Sequence, residues 1–109
     1  MKRVAILAAL LTVAALAELH VPAVAALAAA QSKPQPEYHP LARRLHVTGD
    51  VSVEVRIAVG GDVSGVKLLA GNALLANTVL KTVKTWRFKP FLSEGHPTVA
   101  VTILHFSFK

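Results

Sequence analysis

The sequence predicts an α+β fold: a three-stranded antiparallel sheet with one long helix packed on one face and a short N-terminal helix, in the order α-β-β-α-β. Three observations lead there. Val51, Val53, Val55, Ile57 and Val59 alternate with Ser52, Glu54, Arg56 and Ala58, the period of a strand with one buried face. Leu75, Val79, Val83 and Trp86 recur at spacings of four, four and three, which places them on one face of a helix. Residues 98–109 are rich in β-branched and aromatic side chains, as strands are. One helix laid over one face of such a sheet is the simplest way to bury all three apolar surfaces.

Composition bounds the rest. The chain has 109 residues, a net charge of +6 and 53% hydrophobic residues, which allows one domain. Much of the apolar excess lies in an alanine- and leucine-rich N-terminus, and the remainder is a small domain of about 70 residues with a thin core. With no cysteine there is no disulfide framework, thiolate zinc cluster or thiol nucleophile. Only Lys81, Lys84, Arg87 and Lys89 form a basic run, and it falls at the C-terminal end of the long helix, where cations suit the dipole. Binding of a nucleic-acid strand needs aromatics free to stack beside such charges. Trp86 and Phe88 are committed to packing, so the run reads as a solvated face and no nucleic-acid partner is expected.

In chain order, Met1, Lys2 and Arg3 make a positive start, an apolar run continues to Ala17, and Ala15-Leu16-Ala17 and Ala28-Ala29-Ala30 offer small-residue cleavage sites. That is the layout of a secretory signal peptide, assigned to residues 1–30. Cutting after Ala30 leaves the polar start Gln31-Ser32-Lys33-Pro34 and is preferred over cutting after Ala17, which leaves a tail rich in exposed Ala, Val and Leu. Retention as a membrane anchor is the open alternative. The uncharged run is short of the ~20 residues a bilayer needs, and in an anchor His20 would be an intramembrane ionisable group. Either way the domain faces the extracytoplasmic side.

Residues 31–39 form a polar, proline-containing linker, extended and without its own core. The domain proper spans residues 40–109. Pro40 suits a first helical position, and Leu41 and Leu45 fall on one side of the short helix. After the first strand, Gly60-Gly61 supplies the positive φ of a hairpin turn. The return strand covers residues 62–70, with Gly65 marking a bulge. Asn72 is placed to cap the long helix, which runs over residues 73–87 until Pro90 forbids its continuation. Residues 91–97 are a loop turning near Glu94-Gly95. In the last strand Val99, Val101 and Ile103 share one face and Thr102, Leu104, Phe106 and Phe108 the other.

Three stretches, in this order and spacing, resemble the TonB C-terminal domain family of Gram-negative bacteria. Tyr38-His39-Pro40-Leu41-Ala42-Arg43-Arg44 is similar to its opening Tyr-Pro-Pro-Leu-Ala-Arg pattern, with His39 in place of the first proline. Gly49-Asp50-Val51-Ser52-Val53 matches its Gly-x-Val-x-Val strand. Trp86-Arg87-Phe88-Lys89-Pro90 matches its most recognisable run. Gly49, Trp86, Phe88 and Pro90 are accordingly read as structural. The turn Gly60-Gly61-Asp62 departs from the family's Asp-Gly. The family's transducers carry a long proline-rich spacer, whereas the linker here reaches only about 35 Å. The anchor signature Ser-x-x-x-His is incomplete, with Leu16 four residues before His20.

The resemblance implies a periplasmic protein that binds peptides and serves transmembrane transport. Family domains take the TonB box of an outer-membrane receptor as an added strand on the free sheet edge, a mode called β-augmentation that rests on main-chain hydrogen bonds. It therefore assigns partner contacts to the last strand, at Val99, Ala100, Val101, Thr102 and Ile103. The segment before the domain adds Gln35, Pro36 and Tyr38. Inner-membrane motor proteins are partners only if the N-terminus is retained, in an inner-membrane-anchored, periplasm-facing form. A competing reading uses the same edge for self-pairing into a homodimer, or for regulation by competition, without energy transduction. An enzyme is not expected: no His-x-x-x-His, Gly-x-Ser-x-Gly or paired carboxylates occur, so no catalytic, metal or cofactor residue is assigned. His39 and His46, which flank the short helix, read as surface imidazoles, and His105 as a hydrogen-bonded strand residue.

Overall fold

A computed structural model describes residues 18–109. The apolar run that ends at Ala17 lies outside them. The elements in chain order are β1 (Leu19–His20), α1 (Ala23–Ala29), β2 (Ala30–Ser32), α2 (Pro40–Arg44), β3 (Gly49–Ile57), β4 (Val63–Ala70), α3 (Ala73–Val83), β5 (Arg87–Phe88), β6 (Phe91–Ser93), β7 (His96–Thr98) and β8 (Ala100–Phe108). The α+β architecture is the expected one. The main sheet has the order β1-β8-β3-β4, so the three antiparallel strands are joined by a fourth, two-residue strand running parallel to β8. Residues 18–30, read from sequence as part of a leader, are packed on this domain.

β3 lies at the centre, and its alternation works as the sequence indicates. Val51, Val53, Val55 and Ile57 are fully buried and stand opposite Phe106, Leu104, Thr102 and Ala100 of β8. The other face pairs Ser52 with His105 and Glu54 with Ile103 and is largely wet. The alternation ends at Ile57. Val59, counted with the buried face from its spacing, belongs to the hairpin turn and is 51% exposed. In that turn only Gly61 of the glycine pair has positive φ, +97°. Its carbonyl accepts the Phe88 N–H at 2.9 Å, and a Cβ there would sit 1.9 Å from the Phe88 oxygen. The bulge expected near Gly65 is present: the register shifts between Arg56 and Ile57, leaving Ser64 without an opposite residue. Gly49 enters β3 at φ +130°, a conformation that favours glycine.

α3 starts where its cap predicts, with the Asn72 side chain accepting the Leu74 N–H at 2.8 Å. Leu75, Val79 and Val83 are buried against the sheet, with Ala76 beside them. The helix ends at Val83, not at Arg87 as the apolar spacing suggests. Arg87 and Phe88 are instead drawn into β5, which pairs with β2, and Phe88 also bonds to Gly61. Trp86, 1% exposed, packs its ring against Phe88 and edge-on against Phe106, at centroid distances of 6.2 and 5.9 Å. In α2 the buried residue is Ala42, while Leu41 and Leu45 are 41% and 58% exposed. A helix of five residues is too short to present the stripe that their spacing implies. The stretch expected to be a loop at 91–97 is a small hairpin, β6 against β7, turning at Glu94 and Gly95, both with positive φ.

Two substitutions test this packing. Trp86→Ala removes a buried ring and is expected to cost about 3–5 kcal/mol, a large share of what a small domain has. Thermal melts followed by circular dichroism should show a lost or strongly lowered transition. Gly61→Ala should also lower the melting temperature, because the new methyl must push the Phe88 carbonyl away and the backbone must hold a positive φ. An unshifted midpoint would contradict the close approach.

Candidate functional site

A strand edge is useful for binding only if its outward N–H and C=O groups lack intramolecular partners. The sheet has two outer strands, β4 and, once the two residues of β1 are set aside, β8. β4 is irregular. Its register against β3 shifts twice, leaving Ser64 and Leu69 without opposite residues, and Lys67 is exposed in its middle. Bulges and an edge lysine are the usual devices that make an edge a poor template. β8 is the reverse: nine residues paired to β3 in one unbroken register.

The edge of β8 already carries a strand over its first part. The Leu19 N–H donates to the Val99 carbonyl and the Val21 N–H to the Val101 carbonyl, both at 2.9 Å. Strand alternation turns the backbone groups of Ile103 and His105 toward the same outer side. Beside β1, a groove of about 530 Å³ is lined by His20, Val21, Pro22, Glu54, Val101 and Ile103 among others. Further along β8 a second groove of about 390 Å³ lies between α1, the linker and the strand, with Leu27, Gln35, His105 and Phe106 on its walls.

The residues assigned to partner contact therefore fall in three places. Ala100, Val101, Thr102 and Ile103 open β8, and Val99 immediately precedes it. Of these only Ile103 has a well exposed side chain, at 44%; Ala100 and Thr102 face the core, so any contact they make with a partner is through the main chain. The Thr102 hydroxyl is buried without a hydrogen-bond partner. Gln35 reaches the second groove, and its amide donates to the Lys33 carbonyl. The linker that carries Gln35 and Pro36 is held at Pro34, whose carbonyl accepts the Trp86 indole N–H at 2.8 Å. Tyr38 sits apart. Its hydroxyl donates to the Val47 carbonyl, its ring meets Phe108 edge-on at 5.4 Å, and the Arg43 guanidinium lies 4.7 Å over it.

Two of the histidines are occupied locally. His39 Nδ1 caps α2 by accepting the Leu41 N–H at 3.1 Å, and His105 Nδ1 shares a 2.8 Å hydrogen bond with Ser52 across the strands. Among the described residues no three His, Asp or Glu side chains converge as a metal site would require. None of those residues forms a helix long and apolar enough to cross a membrane. What sequence reasoning missed is the segment on the β8 edge. Glu18 forms an ion pair with Arg56, and β1 and α1 come directly after it. The only local signal was Pro22, which starts α1, because an Ala- and Leu-rich segment reads equally as a leader.

The family model described as Gram-negative bacterial TonB protein C-terminal matches residues 34–109. Among solved structures, the solution structure of the Pseudomonas aeruginosa TonB C-terminal domain is similar in fold. Its TM-score is 0.63 at 23% identity, covering 73% of this chain and 83% of that one. No curated protein matches the chain in a sequence comparison.

Tyr38→Phe should separate a structural role from a binding one. Losing the hydroxyl leaves the Val47 carbonyl without this donor and is expected to cost about 1 kcal/mol, read as a lower midpoint in urea. The Phe108 and Arg43 contacts of the ring remain.

Proposed function

The chain belongs to the family of Gram-negative bacterial TonB C-terminal domains, a family associated with TonB-dependent transport, and on that basis we propose that it is a periplasmic module that binds the TonB box of an outer-membrane receptor by strand addition. The acceptor is the β8 edge from Val99 to Ile103. The observation that carries this reading is the pair of main-chain bonds at Val99 and Val101, since they are the bonds an added peptide strand would make. Affinity then comes from the backbone, and the partner's sequence is only loosely constrained. Gln35 lines a groove further along the same strand and Pro36 follows it in the linker, while Tyr38 holds the linker end on the domain. Coupling to inner-membrane motor proteins requires that the apolar N-terminus remain attached. After cleavage, the product is a free periplasmic binding domain.

The competing reading, self-pairing through the same edge, makes a different demand. Titration of a synthetic TonB-box peptide should give saturable binding at or below millimolar peptide, with chemical-shift changes concentrated along β8. An absence of binding at that concentration, together with a concentration-dependent dimer, would favour self-pairing. Ile103→Pro removes an outward-facing donor and leaves the β3 ladder intact, a position where an edge strand tolerates proline. It should retain the far-UV spectrum of the parent and lose peptide binding by about tenfold or more.

A further inference from the structure

We infer that Glu18, Leu19, His20 and Val21 form a built-in latch that closes the peptide-accepting edge and must be displaced for a partner strand to enter. The inference rests on the strand-addition reading and adds to it a regulated state of the same site. Its basis is the unequal attachment of the segment 18–32. The later part is anchored: Ala26 of α1 is fully buried in the core, the Lys89 N–H donates to the Ala29 carbonyl at 2.9 Å, and Ala30 and Ser32 pair with Phe88 and Arg87. The tip is held by less: by the short β1–β8 ladder with its bonds to the Val99 and Val101 carbonyls, by Val21, only partly buried against the core, and by the Glu18–Arg56 ion pair. The side chains of that pair are 45% exposed for Arg56 and 29% for Glu18, so water and salt screen it. Pro22 marks the boundary, extended at φ −62° and ψ 149° just before α1.

An edge carbonyl pointing along one direction accepts one strand at a time. Tip and partner therefore compete for the same groups, and the observed affinity is the intrinsic one scaled by the fraction of molecules with the tip released. Anchoring by α1 keeps the displaced tip at high local concentration, so closure recurs when the partner leaves. The latch requires residues 18–21 in the exported protein, which places any processing at or before Ala17.

The test uses the full chain and a synthetic TonB-box peptide. Leu19→Pro combined with Val21→Pro removes both donors of the latch and should bind the peptide about tenfold or more tightly than the parent. Glu18→Cys with Arg56→Cys, bridged by a short bis-methanethiosulfonate reagent in a chain that has no cysteine, each thiolate displacing methanesulfinate to form a mixed disulfide, should bind it at least tenfold more weakly, and reduction of the bridge should restore binding. In the free parent protein the amides of Leu19 and Val21 should be protected from hydrogen exchange and should lose that protection when peptide is added. Equal affinity for the parent and the proline variant overturns the latch, as does persistent protection in the peptide complex or an exported chain that starts at Gln31. If neither parent nor proline variant binds at millimolar peptide, the receptor reading falls and displacement falls with it. Closure of the edge is then decided by amide exchange alone, and fast exchange at Leu19 and Val21 refutes that too.

Discussion

The indole of Trp86 is the contact on which the rest of the structure depends. It is buried in the turn that follows α3, packs on Phe88 and Phe106, and donates its N–H to the Pro34 carbonyl. One side chain thus joins the helix, the last strand and the linker. A domain this small buries a limited fraction of its surface, so a residue that satisfies its single polar atom while filling core volume cannot be replaced by several smaller contacts. Through Phe88 the same node reaches the turn at Gly61, whose lack of a Cβ lets the two backbones meet. Loss of the Trp86 ring would therefore disturb the placement of β8, although Trp86 itself presents almost no surface to a partner.

The elements legible in the sequence are those whose period is set by one face and one neighbour. Val51 to Ile57 and Leu75 to Val83 are of that kind, and the Asn72 cap and the positive-φ turn at Gly61 are local signals of the same quality. What escapes has a physical cause in each case. The end of α3 comes earlier than the spacing indicates because Trp86 and Phe88 continue an apolar pattern, while the competing bonds from Phe88 to Gly61 and from Lys89 to Ala29 come from distant parts of the chain. Leu41 and Leu45 have the spacing of a buried pair, yet a single short turn packs through Ala42 and leaves both exposed. The β6–β7 hairpin has strands of three residues, too short to show an alternation.

The edge of β8 is legible only in part. Its residues are strand-like, and the family resemblance points to Val99 through Ile103. That Ala100 and Thr102 turn inward is a consequence of the β3 register, once it is known. The occupation of that edge by Leu19 and Val21 has no signature. A two-residue strand has no period, and its partner lies about eighty positions away, a separation whose closure entropy composition does not reveal. The preceding apolar run also gives residues 18–30 the look of a leader that continues.

The irregular register of β4 has a consequence for assembly. A sheet with one regular edge and one bulged edge has two unlike ends, and stacking one end on the other in successive copies would be a head-to-tail contact that never closes, the geometry of an open filament. The unpaired Ser64 and Leu69 break the match that such stacking needs. Under the proposed strand addition at β8, the bulged β4 edge would therefore offer no equivalent template to a further copy.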